Sequence, residues 1–436
     1  MTRTRAVLAL RRAVAVTLGA AAAAAFVFGE ACADRTGGDV ARARGDDAGG
    51  EAALAEPGPG RDAGLDAATD AGADAAGSPC PPGTTLRRRR TTCPGAPLVP
   101  PAALTADLAG AAPGDVVSLA GMNESDAPCL PVVVCTPADA PTMLFSDSPE
   151  SPAQDGVLYA DTVSAGRYRL YVYHANGGTI VRKFPVVVLN PGAQAAKVTV
   201  VRRGLAAPST AYVSVGKSVL ADWFVDRAPV DVVVPAGQRV LLDPALDQLH
   251  AAKDELVHAI YDVVVDRSVK ISFVSVPAGA DAAAITAGLS LLARDVAHQR
   301  GTFAAADVLV VAGDLADGAQ KKGVQRLRLG LDEVDDTLQG IDAPTGDTQK
   351  LLGNYGMLYR FALKLPAPAR AAIAPRGGGW GGVASQAGSV VRLPTATEQL
   401  AATTSAVVLG GLDGSEVRLL TGGGSNLPVD LFLVTP

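Results

Sequence analysis

The chain has 436 residues, with 38 Lys and Arg against 44 Asp and Glu, and a formal net charge of -6. A net charge of that sign argues against a nucleic-acid partner, whose phosphates need a basic surface. Aromatic residues make up 4% of the chain, too few for a long sugar-stacking platform.

The N-terminus has the parts of an export signal. Arg3, Arg5, Arg11 and Arg12 precede an uncharged apolar stretch, residues 13–29, of about 17 residues, at the short limit of a membrane span. Small residues and then the polar run DRTGGDVARARGDD follow, so residues 1–33 read as a removed signal peptide. Two cuts compete: one before Cys32, which leaves that cysteine as a lipid-bearing N-terminus, and one after the A-x-A triplet that ends at Ala33. The first resembles a bacterial lipoprotein signal, although Gly29 and Glu30 depart from its usual motif. A lipidated Cys32 would hold the chain to a membrane through its acyl chains. Residues 34–79 are rich in Ala, Gly and Asp and almost free of large apolar side chains, so they read as a disordered linker.

Either cut leaves Cys80, Cys93, Cys129 and Cys135. An even count in an exported chain reads as two disulfides, and the local pairing Cys80–Cys93 with Cys129–Cys135 closes the shortest loops. Zinc is disfavoured because no His lies in the cluster. The basic run LRRRRTT, residues 86–92, reads as a solvated loop inside the first bridge.

Beyond residue 155 alternation dominates. In GRYRLYVYHANGG, Tyr168, Leu170 and Val172 share one face and Arg169, Tyr171 and Tyr173 the other, and Asn176-Gly177-Gly178 reads as a positive-φ hairpin turn. Similar runs recur to the C-terminus, separated by Gly and Pro. The expected fold is all-β: two consecutive β-sandwich domains, jelly-roll or Ig-like, after the signal peptide and linker. The blocks are a Cys-containing cap or strand-donating region at 80–150, a first sandwich at 151–278, a connector with room for one short helix at 279–299, and a second sandwich at 300–436.

The stretches GLAAPSTAYVSVGK (204–217), HQRGTF (298–303), LLGNYGMLYR (351–360), APRGGGWGG (374–382) and GGSNLPVDLFLV (423–434) resemble a group of uncharacterised exported bacterial proteins, some labelled copper-amine-oxidase-like for a neighbouring domain. The resemblance implies a β-rich, surface-associated, extracytoplasmic protein and carries no catalytic residue. No copper site of the amine-oxidase kind is recognisable.

Candidate sites are few. AYVSVGKS, residues 211–218, ends like a phosphate-binding loop but has Ala211 where that motif needs Gly, so it reads as a β-turn with an exposed Lys217. On a helix His250, Asp254 and His258 would share a metal-binding face, but the alternation of ELVHAIYDVVV puts His258 on a strand, and His174 beside the Asn176 turn reads as structural. His298 is the histidine to test first, because Arg300 and Thr302 alternate with it. The acidic run at Asp332, Glu333, Asp335, Asp336 and Asp342 has the oxygen ligands calcium accepts, with Asp332, Asp335 and Asp336 as the metal candidates. PRGGGWGG, residues 375–382, is the most ligand-like loop: Trp380 offers a flat face and Arg376 a planar donor fork. No G-x-S-x-G elbow is present.

These features point to a non-catalytic cell-envelope or extracellular binding or scaffolding protein. It lies outside the cytoplasmic membrane, as an outer-membrane lipoprotein, in the periplasm or secreted. Its partners are the membrane through Cys32 and a polysaccharide or another envelope protein. Two alternatives stay open, an exported hydrolase with a dispersed active site and a calcium-binding surface protein. No cofactor is expected, calcium being the one metal the sequence leaves room for.

Overall fold

The alternation of GRYRLYVYHA folds as a strand, Gly166–Ala175, and buries both of its faces. Leu170 and Val172 enter one core, while Tyr171 and Tyr173 enter another on the opposite side. This strand lies inside an eight-stranded sheet in the order Val230–Val234, Ala196–Leu205, Leu256–Val265, Gly166–Ala175, Thr142–Ser146, Arg300–Phe303, Leu338–Asp342 and Asp347–Leu351. The computed structural model describes residues 80–90, 95–123, 126–312, 323–331, 335–364, 368–401 and 404–435. The leader 1–33 with Cys32, the linker 34–79, Cys93, Asp332 and Glu333 lie outside the described residues.

A five-stranded sheet built from Arg239–Leu241, Val186–Leu189, Val269–Pro277, Gly156–Val163 and the short Arg182–Lys183 faces the eight-stranded one. Leu158, Tyr159, Val186, Val188, Ile271 and Phe273 meet Leu144, Leu170, Val257 and Tyr261 in the core between them. A seven-stranded sheet runs Thr84–Arg90, Val132–Pro137, Asp307–Ala312, Leu358–Ala362, Val417–Thr421, Gly382–Gln386 and Ser389–Leu393. A second five-stranded sheet runs Gly323–Leu329, Val429–Thr435, Arg370–Pro375, Ser405–Gly410 and Val116–Ser118. One core cluster joins these two to the far face of the eight-stranded sheet through Met143, Phe145 and Tyr171. The fold is therefore all-β, as expected.

The strands do not separate at residue 299. Arg300–Phe303 pairs with Thr142–Ser146, Thr302 opposite Leu144, and Leu338–Asp342 continues that sheet. The chain before residue 150 donates strands both to this sheet and to the seven-stranded one, where Val132–Pro137 pairs with Asp307–Ala312. The connector holds one helical turn, Ala282–Ile285, followed by a 3-10 turn.

Three local expectations are corrected. The Asn176 segment is no hairpin: neither Gly177 nor Gly178 has a positive φ, and the Asn176 side chain instead accepts the Gly178 N–H at 2.9 Å and donates to the Ile180 and Ala251 carbonyls. The strand partners of Gly166–Ala175 are Leu256–Val265 and Thr142–Ser146. The local disulfide pairing gives way to Cys80–Cys135, with Cα atoms 5.9 Å apart, and Cys129 is also disulfide-bonded. The cause lies in the sheet: Thr84–Arg90, the basic run expected as a loop, pairs antiparallel with Val132–Pro137, and the turn at Pro81–Thr84 brings Cys80 back onto Cys135.

Two helices of more than two turns stand out among the described residues, α1 at Ala102–Gly110 and α2 at Tyr212–Trp223, and neither was expected from alternation. α1 packs Leu104 and Leu108, four residues apart, on the second five-stranded sheet. α2 buries Val213, Gly216, Lys217, Leu220 and Trp223, a helical stripe hidden in the sequence by three β-branched valines that favour strand. Two glycines let it seat. A Cβ on Gly204 would come 2.2 Å from the Val219 carbonyl, and one on Gly216 would come 2.3 Å from the Gly423 carbonyl. No helix among the described residues is long and apolar enough to cross a membrane.

Candidate functional site

The residues that the sequence nominates are dispersed into separate structural networks. Trp380 is fully buried in the core with its indole N–H 3.4 Å from Thr421 Oγ1, and its backbone bridges to Leu400, so it offers no face to a ligand. Arg376 sits four residues away in the chain and turns its Nε to buried Asp430 at 3.2 Å, an acid that also holds Arg328 at 2.8 Å. Arg300, 1% exposed, donates through Nε to both Asp342 oxygens and through Nη1 to the Leu158 and Leu292 carbonyls. Thr302 donates instead to Asp161 at 2.6 Å, so it forms no polar face with His298.

His298 is one-third exposed and bridges two acids, Glu150 through Nε2 and Asp295 through Nδ1. Beside it burial, then Glu150 and Asp295, push the Asp147 carboxyl well above its usual range, and Asp147 Oδ1 has no hydrogen-bond partner among the described residues. Asp295 is occupied as a backbone acceptor for Glu150, Ala297 and His298.

The calcium candidates face apart. Asp335 is buried and accepts from the Gly330 N–H, Asn354 Nδ2 and the Tyr359 hydroxyl, whereas Asp336 is exposed and pairs with Arg88 at 3.0 Å. Among the described residues no group of three or more His, Cys, Asp and Glu is placed to hold a metal ion. His250 is exposed, Asp254 lies in a turn with φ 65°, and His258 stands fully buried on the strand Leu256–Val265, so no helical metal face forms. Lys217, expected on an exposed turn, is buried inside α2 and donates to the carbonyls of Pro394, Thr397 and Glu398 at 2.6, 2.9 and 3.0 Å. Burial, then the neighbouring Arg392, pushes its ammonium down to about 8. The GKS triplet is a clamp between α2 and the 394–398 loop.

That clamp fixes one wall of the concave feature the sequence did not reveal. Between α2, the end of the strand Ala196–Leu205 and the strand Ser389–Leu393 lies a cavity of about 1080 Å³, lined by small and apolar residues such as Ala206, Ala207, Ser214, Ser218, Ala221 and Val391. It shares Val225 and Val390 with a second cavity of about 590 Å³. The second shares Arg202 and Arg418 with a third of about 200 Å³. The three cavities are neighbours through these shared residues and together make up a trough region. Ser389–Leu393 is the edge strand of its sheet, so one row of its backbone groups has no ladder partner along the trough.

The small end is charged. Arg169 lies beneath it, fully buried, with Nε and Nη2 on the two Asp262 oxygens and Nη1 on Asp307 at 2.8 Å. Burial opposes its charge, but Asp262 and Asp307 outweigh it and hold the guanidinium protonated. Arg169 and Arg202 both pack over the Trp223 ring, at 5.1 and 5.2 Å from its centre. Arg360 and Arg418 share Glu416; burial alone would raise that carboxyl, and the two arginines hold it below its usual range instead.

No protein-family model matches the chain, and no curated protein matches it. Among solved structures the chain is similar to a Bacillus subtilis oxalate decarboxylase studied for its Mn(II) centres, at 10% identity over 67% of this chain and 77% of that one, with a TM-score of 0.15. Vicilin from hazelnut, Corylus avellana, is 11% identical over 67% and 86% of the two chains with a TM-score of 0.11, and tomato vicilin 9% over 67% and 84% with 0.13. At such scores neither a site nor a metal is carried across.

Proposed function

We propose that this is a non-catalytic extracytoplasmic binding protein whose trough takes an extended acidic segment of a partner envelope protein. The observation that carries the reading is the trough itself, an edge strand and a helix beside three neighbouring cavities, the smallest of them lined by arginines. An extended segment adding to an edge strand gains main-chain hydrogen bonds, and the small residues of α2 leave room for its alternate side chains. Its acidic groups complement the arginine end. Of the residues the sequence nominated, Arg300, Trp380 and Asp335 are engaged in buried structural bonds and the partly exposed His298 is tied to Glu150 and Asp295, which supports binding over catalysis. A disulfide at Cys80–Cys135 supports an oxidising compartment outside the cytoplasm. An export signal with an anchor at Cys32, or free secretion, fits the same placement.

The test is enrichment of a displayed library of ten-residue peptides on the purified protein, read against the variant Ala207→Trp, which fills the trough at an exposed position. Acidic extended peptides that bind the native protein and not the variant are the expected result. No enrichment, or equal binding by the variant, overturns the reading, as does selective binding of a polysaccharide that Ala207→Trp leaves unchanged.

A further inference from the structure

We infer that the small cavity at the charged end of the trough is an oxyanion site, built to take a phosphate, sulfate or carboxylate group. Arginines converge on it from four strands: Arg167 from Gly166–Ala175, Arg202 from Ala196–Leu205, Arg360 from Leu358–Ala362 and Arg418 from Val417–Thr421. Its volume of about 200 Å³ holds a small polyatomic anion and little else. Three carboxylates lie on its wall: Asp262 and Asp307 are turned to the buried Arg169 and so are not free to fill the site, and the exposed Asp139 acts on Arg360. Arg202 and Arg418 keep only partly exposed pairings, with Asp226 and Glu416.

One donor is left over: Arg167 is exposed and has no ion-pair partner among the described residues. Trp223 lines the same cavity, is 2% exposed, and carries Arg202 on its ring. The arginines on the wall outnumber its three carboxylates, Asp139, Asp262 and Asp307, and two of those carboxylates are already held by Arg169, so the complement is an anion rich in oxygen acceptors. Arg202, packed on the Trp223 ring, is held in place before any ligand arrives, which lowers the entropy lost on binding.

The inference extends the trough reading by naming the group its occupant would present, but it can be tested without that occupant. Calorimetric titration of the full-length protein with inorganic phosphate and with sodium sulfate should show binding of at least one anion at concentrations up to about 10 mM, weakened by added chloride salt. Arg167→Gln, an exposed substitution that the fold should tolerate, is expected to weaken it about tenfold. Ala207→Trp, at the far end, should leave it unchanged. Competition by acidic peptides assigns the anion to the trough's occupant, and its absence assigns the site to a free inorganic anion. Anion binding without any peptide binding would end the trough reading and keep the oxyanion site. No heat with either anion, or equal affinity in Arg167→Gln, overturns the inference even if peptides bind.

Discussion

Arg169 on the strand Gly166–Ala175 of the eight-stranded sheet holds Asp307, the first residue of Asp307–Ala312 in the seven-stranded sheet, at 2.8 Å. One buried guanidinium thus ties two sheets together, with Asp262 and the Gly356 carbonyl completing its donors. Replacing it leaves two carboxylates facing each other without the cation that both of them bind. Arg169→Met is expected to cost about 3 to 5 kcal/mol, the range for breaking one side of a buried ion pair. Urea denaturation checks it, and a loss under about 1 kcal/mol would mean that water screens the pair.

Trp380 is expected to act through packing alone. Trp380→Ala should destabilise by about 3 to 5 kcal/mol, as for truncating a large buried aromatic, and should leave peptide and anion binding by the folded fraction unchanged. Thermal melts and titration at a temperature below the transition measure the two separately. A binding loss without a stability loss would return the indole to the ligand surface.

Strands were legible in the sequence where period two survives: TTLRRRR at Thr84–Arg90 has no such period and was expected as a loop, whereas Gly166–Ala175 shows it. The sequence could not say that both of its faces are covered: Tyr171 and Tyr173 look like an outward face and are packed against α2 and the seven-stranded sheet. α2 was illegible because its β-branched valines favour strand locally, and its helical state rests on seats provided by Gly204 and Gly216, whose partners lie elsewhere in the fold. The trough was illegible for a similar reason. Its walls come from Ala206–Val225 and from Val390–Thr395, and nothing in either stretch announces the other. Arg300 and Trp380 were expected as ligand contacts, and the structure buries both.

Two neutral buried histidines should make the protein acid-sensitive. Burial holds His174 down to about 3, against a smaller upward pull from the Pro149 carbonyl, and holds His258 down to about 4. In the unfolded chain both take up a proton near 6.5. As pH falls below that value, the unfolded state gains protons that the folded state refuses, so stability present above pH 6.5 is lost down to the folded values. Each histidine contributes at most about 1.4 kcal/mol per pH unit in that window. Asp147 and Glu150, raised by burial, act in the opposite sense at the acid end. The difference between native protein and His258→Asn isolates one histidine, since an asparagine amide can still donate to the Val172 carbonyl that His258 Nδ1 contacts at 2.7 Å. That difference should be flat above pH 7.5 and shrink toward pH 4.5 in urea titrations. A difference that does not vary with pH would show that His258 is not held neutral.

The disulfide connectivity separates the fold from the loop-closure argument in one experiment. Cys80 and Cys135 are held together by the pairing of Thr84–Arg90 with Val132–Pro137, so the bridge is a consequence of sheet register and not of nearness in the chain. In Cys80→Ser the thiol set free should be Cys135, readable by alkylation of unreduced protein and fragment mass spectrometry; local pairing would free Cys93 instead. Because the bridge closes a loop with a sequence separation of 55, the chain-entropy model assigns it about 4 kcal/mol, reduced to the extent that the bridge at Cys129 already constrains the same stretch. Cys80→Ser should therefore lower the melting temperature under non-reducing conditions and leave little further change on adding a reductant, except for what Cys129 contributes. A freed Cys93 with an unchanged melting temperature would sink the register-driven bridge and, with it, the place of Thr84–Arg90 at the edge of the seven-stranded sheet.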